Sequence, residues 1–202
     1  MKTLEEQLQA AGLKPSGCCT ELSSGYGNDF LQTSQLLQDM TPAEADTLGA
    51  AMLLIRVEPG EVLIREGDAG EWMLLVLKGT VDVTKRVDRK IDNSPVSDNK
   101  SPTGDVADNA VKELDEASFS RIAVIKSGAT LGEMSMLDSE PRYATCTAIE
   151  AVEAGVLGRR EISLLIHNHP AVGAKLLVKI TQLMAQRLRN TSNQLVKLLQ
   201  KQ

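Results

Sequence analysis

The chain has 202 residues and a formal net charge of −5, with hydrophobic residues at 42%, charged residues at 24% and aromatic residues at 2%. This length suits one domain of ordinary size, and the acidic balance and scarcity of aromatic rings disfavour a protein that grips nucleic acid or stacks single-stranded bases. No apolar run approaches the roughly 20 residues that span a bilayer, and the N-terminus lacks a signal-peptide pattern, so we expect a cytoplasmic protein with no membrane contact.

The first 34 residues are predicted as an N-terminal arm. A capping-box pattern that begins at Thr3 predicts a short helix, and the Gly- and Ser-rich sequence after it is typical of a mobile segment. A second capping-box pattern begins at Thr41, with proline at the first helical position, and predicts a helix of about ten residues. We expect three apolar residues of this second helix to face inward: Leu48, Met52 and Leu53.

From Ile55 onward the hydrophobic pattern alternates and is punctuated by Gly and Pro, which predicts several short strands joined by tight turns. The stretch 88–118 breaks this pattern with eight acidic and four basic residues and few large apolar ones, so we predict a disordered insertion there. Because strand-like sequence resumes at Arg121, the insertion is expected to loop out of a hairpin.

The last segment, 169–202, is predicted as one long helix. Positions from Leu177 to Leu198 recur in alternating steps of four and three and are mainly apolar, with Thr181 and Thr191 as polar interruptions. This spacing is typical of a coiled-coil seam and favours a homodimer, although a helix packed on its own domain is the alternative. The segment also carries six basic and no acidic residues, which suits a solvated outer face or contact with an acidic partner.

The sequence LGEMSMLDSEPRYATCTA carries the residues suited to holding an anion. Gly132 lets the backbone approach a ligand closely, and the amides of Glu133 and Met134 follow at the start of a short predicted helix, where free donors favour negative charge. Arg142 has a planar guanidinium that can hold two phosphate oxygens at once. A surface ion pair between Glu133 and Arg142 is the alternative, but their spacing after the glycine favours a binding site.

This Gly-Glu pair, the Pro-Arg pair eight to nine residues later and the Ala-Thr that follows in a strand resemble the phosphate-binding cassette of the cyclic-nucleotide-binding domain family. The turn glycines also match that family's β-roll, and they are Gly60, Gly67 and Gly79. The resemblance therefore covers residues 35–200. It implies a mainly β fold with flanking helices, a jelly-roll-like antiparallel double sheet with an N-terminal helix and a long C-terminal dimer helix. The domains are then an arm at 1–34, a β-roll at 35–168 and a helix at 169–202.

The resemblance also implies roles for single residues. Arg142 anchors the cyclic phosphate, Glu133 accepts a hydrogen bond from the ribose 2′-hydroxyl, and the amide of Ala144 donates to the phosphate. The last helix is similar to the dimer helix of the bacterial catabolite activator proteins, where the pair matching Thr191 and Ser192 contacts adenine, one residue reaching across from the partner subunit. The alternative for this pair is two polar residues on a helix surface.

Tyr143 departs from the family pattern, which has a small residue after the arginine, and a phenol there can crowd or replace the usual contact. The ligand expected first is cyclic AMP and the second is cyclic GMP, and the third alternative that Tyr143 leaves open is another cyclic phosphate or no ligand. No metal is expected, because His167 and His169 lack further ligands.

The predicted function is a non-enzymatic sensor, with no DNA-binding domain after the helix, that changes its C-terminal helix or dimer surface to regulate an unknown protein partner. The alternative is a β-roll that serves as an interaction or scaffold protein and no longer binds nucleotide.

Overall fold

The computed structural model describes residues 2–27, 29–87 and 118–200. These residues form nine strands: β1 (Pro15–Cys18), β2 (Leu53–Val57), β3 (Val62–Ile64), β4 (Trp72–Lys78), β5 (Thr80–Val87), β6 (Ser118–Lys126), β7 (Thr130–Leu131), β8 (Thr145–Ala148) and β9 (Val152–Gly158). They also form six helices: α1 (Leu4–Ala10), α2 (Phe30–Thr33), α3 (Pro42–Ala50), α4 (Glu133–Asp138), α5 (Arg159–Asn168) and α6 (Pro170–Leu199).

The strands build two antiparallel sheets, and this confirms the predicted mainly β fold with flanking helices. One sheet has the order β1-β2-β9-β4-β7, and the other has the order β3-β8-β5-β6. Strands β5 and β6 pair along their length, with Val87 opposite Ser118, so the chain enters and leaves the predicted insertion through a hairpin. Residues 88–117 lie outside the described residues, and Ser118 already belongs to β6.

Strand β4 of the five-stranded sheet is buried on both faces, because it contributes to two separate cores. Trp72 and alternate residues along β4 point into the space between the two sheets, whereas Met73 and its alternates pack under α3, α5 and α6. A short, continuous apolar run is the pattern expected of such a strand. The run WMLLVL is therefore explained by burial on both sides.

The two predicted helix starts are formed, since Thr3 and Thr41 each accept from the backbone in a capping box. Helix α3 ends at Ala50, so the prediction that Met52 and Leu53 lie on this helix was wrong. The chain turns at Met52, which is buried, and Leu53 opens β2 opposite Val156 of β9. The strand pairing overrode the apolar pattern that suggested a longer helix.

The segment predicted as an arm lies against the β-roll in the structure. Leu4 and Leu8 of α1, together with Leu13, are buried in the core between the sheets. Strand β1 then pairs with the edge of β2 and places Cys19 in the core beneath the helices. The helix that the sequence predicted at the start of this segment is thus part of the packed fold.

Helix α6 has two apolar stripes on different faces. The first half packs on the domain through one stripe: Val172, Leu176, Ile180 and Leu183. The predicted seam lies on another face and is exposed at Leu188, Leu195 and Leu198. One face of α6 therefore packs on its own domain, and the other carries the seam predicted for a homodimer, so neither alternative is excluded. Neither α6 nor another helix among the described residues has the length and apolar character needed to cross a bilayer.

Candidate functional site

Gly132 forms the junction between β7 and α4 in a left-handed conformation, with φ at 79°. A Cβ at this position would lie 2.6 Å from Nη1 of Arg142 and 3.0 Å from the Ile64 side chain. Glycine is therefore required here both by the backbone angle and by the close approach of the guanidinium. The amides of Glu133 and Met134 come next, in the first helical turn, where backbone donors have no partner within the helix.

Arg142 points inward, and its residue is only 3% exposed. Its Nη1 donates to the carbonyl of Gly132 and its Nη2 donates to the carbonyl of Trp72, each at 2.8 Å. The guanidinium carbon lies 4.3 Å from the centre of the Trp72 ring. Its own backbone is held by Gly67 and Asp68, which exchange hydrogen bonds with it at 2.8 Å. The predicted turn thus fixes the arginine beside Gly132.

No carboxylate among the described residues forms an ion pair with Arg142. Within the described parts of the chain, all its side-chain hydrogen bonds go to carbonyl oxygens, and it forms no ion pair. Burial lowers the pKa of Arg142 to about 10, because the surrounding apolar groups disfavour its charged form. A buried cation of this kind is costly unless an anion approaches it, so the position favours a negatively charged ligand.

Glu133 is also buried, at 1% exposure. Its Oε1 accepts from Nη1 of Arg187 on α6, and Nη2 of Arg187 donates to the carbonyl of Thr130 at 2.6 Å. Its Oε2 is buried and has no hydrogen-bond partner among the described residues. Because a buried, unpaired carboxylate oxygen is costly, this atom favours a ligand hydroxyl that can donate a hydrogen bond to it.

A cavity of about 120 Å³ opens between these groups. Six of the eight predicted site residues line it: Gly132, Glu133, Met134, Arg142, Tyr143 and Ala144. The other lining residues are mainly apolar, and they are Ile64, Val83, Leu131, Ser135, Cys146 and Arg187. A cation, a hydrogen-bond acceptor and an apolar wall therefore meet in one place.

Tyr143 lies at the rim of this cavity and is 60% exposed. Lys85 Nζ lies 4.2 Å from the centre of its ring and donates to its carbonyl at 2.8 Å. The same ammonium donates to Oε1 of Glu66 at 2.8 Å. The ring is thus held outward by a cation and does not fill the cavity.

Thr191 and Ser192 are exposed and do not line the cavity in one copy of the chain. The hydroxyl of Thr191 donates to the carbonyl of Arg187, one turn earlier in α6. The structure does not bring this pair together with the cassette.

Arg187 is the site residue that the sequence analysis missed as a ligand candidate, since it counted there only as one of six basic residues. It lies one helical turn before Thr191, on the face that meets α4. Its contact with Glu133 joins residues 54 positions apart, and no local sequence pattern indicates it.

The other candidate chemistries have no built site in the described part of the chain. No group of three His, Cys, Asp or Glu side chains is arranged to hold a metal ion there. Cys146 lines the cavity, but burial raises the pKa of its thiol to about 12, so the thiolate is scarce at neutral pH.

Comparison with protein families matches residues 109–169 to the cyclic nucleotide-binding domain. This stretch contains every residue from Gly132 to Ala144 that lines the cavity. The match rests on the same region in which the sequence analysis found its motif, so the predicted resemblance is confirmed.

Individual relatives agree with this match. A cyclic nucleotide-binding domain from Methylobacillus flagellatus is 26% identical, with a TM-score of 0.71, and the likeness covers 97% of this chain and 94% of that one. The catabolite activator protein of Thermus thermophilus shares the fold at 24% identity and a TM-score of 0.62, over 82% of this chain and 63% of that one.

Among curated proteins, a cAMP-dependent protein kinase regulatory subunit of Yarrowia lipolytica is 28% identical over 64% of this chain. A regulatory subunit of the same name from Eremothecium gossypii is 25% identical over 69% of this chain. The matched regions span about a quarter of the length of these two relatives, 27% and 24%.

Proposed function

We propose that this chain, which has a cyclic nucleotide-binding domain, is a non-enzymatic sensor that binds a cyclic nucleotide and regulates a partner protein through α6. Cyclic AMP is the first candidate ligand and cyclic GMP the second. The names of the kinase regulatory subunits that it resembles support cyclic AMP as the first choice.

The proposal rests on the buried guanidinium of Arg142, which no carboxylate among the described residues neutralises, beside the unpaired Oε2 of Glu133. A cyclic nucleotide carries one phosphate charge next to a free ribose hydroxyl. The phosphate can neutralise Arg142, and the hydroxyl can donate to Glu133. Each group of the site that lacks a partner then gains one from the same molecule.

Ligand entry is coupled to α6 by Arg187, which contacts Glu133 from that helix. A ribose hydroxyl that bonds to Glu133 shares or replaces this contact, so the bound and empty states differ in how α6 is held. A ligand with different affinity for two helix positions shifts their populations. We assign the base contacts to Tyr143 at the rim and to Thr191 and Ser192, which a second copy can supply.

We further propose that the exposed seam of α6 joins two copies of the chain. Leu188, Leu195 and Leu198 are each more than half exposed and follow the spacing of a coiled coil. A homodimer would cover them, and it would bring Thr191 and Ser192 of one copy near the cavity of the other.

Calorimetry with cyclic AMP and cyclic GMP tests the binding proposal. We expect Arg142→Ala to weaken the preferred ligand by about 100-fold or more, because two charge-assisted hydrogen bonds are lost at about 1.5 kcal/mol or more each. Arg56→Ala is the matched control, since Arg56 is exposed and paired with Glu153 on the surface. Equal affinity of wild type and Arg142→Ala would contradict the assigned site.

One observation favours the alternative of an interaction protein without a ligand. The cavity has a volume of about 120 Å³, and Arg187 is one of its lining residues. This is less than the roughly 300 Å³ at which small-molecule pockets begin. If the wild type binds neither nucleotide at millimolar concentration, the β-roll serves as a scaffold and the sensor proposal is wrong.

A further inference from the structure

Arg159 is the first residue of α5, at the point where β9 ends. Its side chain reaches back to the end of α4. Nε donates to the carbonyl of Met136 at 2.8 Å, and Nη2 donates to the same carbonyl and to the hydroxyl of Ser139 at 2.9 Å. Ser139 ends α4 in a left-handed conformation, with φ at 65°. One guanidinium therefore holds the last turn of the cassette helix.

The same residue is bonded to the loop that supports Arg142. The Arg159 amide donates to the carbonyl of Glu71 at 2.9 Å, and its Nη1 lies 3.4 Å from Oε1 of Glu71. Glu71 precedes Trp72, whose ring and carbonyl contact the guanidinium of Arg142. Arg159 thus contacts both elements that form the proposed phosphate site, without lining the cavity itself.

Helices α5 and α6 approach closely at Gly173. A Cβ there would lie 2.6 Å from Cγ1 and 2.8 Å from Cα of Ile166 on α5. Glycine thus lets the two helices approach each other so closely that a side chain would not fit between them. They have little room to slide, so a shift of α5 moves the start of α6 with it. Farther along, α6 carries Arg187, which contacts Glu133 at the first residue of α4.

Helix α4 is therefore held at both ends by arginines from the C-terminal helices. At its start, Arg187 bonds to Oε1 of Glu133 inside the cavity, where the proposed ligand bonds to the same carboxylate. At its end, Arg159 bonds to a main-chain carbonyl and a hydroxyl outside the cavity. A ligand can change the first contact and leaves the second in place.

On the premise of the proposed function, we infer that Arg159 is the positioning residue that transmits a ligand-induced shift of α4 to α5 and α6. It touches no part of the cavity, so its role concerns the response of the helices and not the capture of the ligand. Removal of the Arg159 side chain should therefore reduce the response of the helices and leave the affinity for the ligand nearly unchanged.

The test compares the full-length wild type, Arg159→Ala, Arg159→Lys and Arg160→Ala. Arg160 is the matched control, because it is the exposed neighbour on the same helix turn. Calorimetry gives the affinity for cyclic AMP, and amide hydrogen exchange of residues 185–199 with and without ligand gives the helix response. Circular dichroism confirms that each variant is folded.

We expect Arg159→Ala to bind within about threefold of the wild type and to lose most of the ligand-induced change in exchange. Arg159→Lys should restore part of the response, because an ammonium can still reach the Met136 carbonyl but lacks the fork that also holds Ser139. Arg160→Ala should match the wild type in both measurements.

A full response in Arg159→Ala, or a loss of affinity in step with the loss of response, would overturn the inference. A wild type that binds no nucleotide would instead defeat the proposed function. If the alanine variant does not fold, Arg159→Lys is compared with Arg160→Lys by affinity and by hydrogen exchange. The inference then requires a reduced exchange response in Arg159→Lys alone, at unchanged affinity.

Discussion

Arg142 is enclosed by a tryptophan ring and two carbonyls, and this setting governs its titration. Burial lowers its pKa from the usual value of a guanidinium to about 10. Between these two values the unfolded chain binds more protons than the folded one, so this group favours folding more as pH rises. The affinity for an anion instead falls as pH rises, because the anion binds the charged form of Arg142.

We predict that cyclic nucleotide affinity is constant below the pKa of Arg142, near 10, and falls by about tenfold over the next pH unit. Calorimetry at pH 9, 10 and 11 measures this, with circular dichroism to confirm the fold. Arg142→Gln is the control, whose residual affinity should not follow this profile. A wild-type affinity that is the same at pH 9 and 11 would contradict the phosphate contact.

The three cysteines differ in environment, which predicts their reactivity. Cys18 is exposed, whereas burial raises the pKa of both Cys19 and Cys146 to about 12. We expect one thiol per chain to react rapidly with a disulfide reagent at pH 8 and two to react slowly, and cyclic AMP should slow Cys146 further. The Cys18→Ser variant should lose the rapid phase. A rapid phase that remains in this variant would contradict the prediction and show that a core cysteine is accessible.

The sequence predicted the residues of the cassette because they are contiguous. Gly132, Glu133 and Arg142 lie within one short stretch, so their spacing could be compared directly with a known pattern. Arg187 is far along the chain, and its contact with Glu133 depends on the rotation of α6 about its axis. A basic residue on a long cationic helix carries no sign of that rotation.

Helix α6 uses one stripe for its own domain and leaves the other uncovered. Two lysines fix its first half: Lys175 donates to Glu44 at 2.7 Å, and the buried Lys179 pairs with Asp39. From Leu188 onward the described helix is exposed all round. The distal half is therefore the part that is available to a second copy.

We predict that the wild type has about twice the mass of one chain in solution and that Leu195→Glu is a monomer, because a carboxylate in the seam disrupts the apolar contact. Val196→Glu is the matched control, since Val196 is exposed on the same turn but lies outside the seam. Light scattering after size-exclusion chromatography measures the masses. Equal behaviour of the two variants would contradict a dimer through this seam.

Elements with a clear sequence pattern were predictable, and the shortest strand was not. The capping boxes gave the starts of α1 and α3, and alternation indicated the strands of the roll. Strand β7 has only two residues, too few to show a repeated alternation, and the six-residue helix α4 was predicted from its Gly-Glu motif and not from periodicity. The burial of β4 on both faces also depends on which elements cover it, and the sequence pattern of a single strand does not contain that information.

At the scale of the whole molecule, the β-roll and the helical layer share one sheet, and the N-terminal segment completes both cores. The Gly- and Ser-rich composition of this segment suggested an arm, because composition reports the tendency of a chain on its own. Leu4 and Leu8 find their place only on a surface that distant strands create. The predicted domain boundaries, the insertion 88–118 and a cytoplasmic location stay predictions.

The uncompensated charge of Arg142 also bears on how long the protein persists. Burying it lowers the stability of the empty form, and a bound anion raises that stability with the logarithm of its concentration above Kd. Chains that unfold more often are removed sooner by cellular proteases. We therefore expect the abundance of the protein to rise and fall slowly with its ligand, so that a cell retains a record of past signalling after the immediate response has ended.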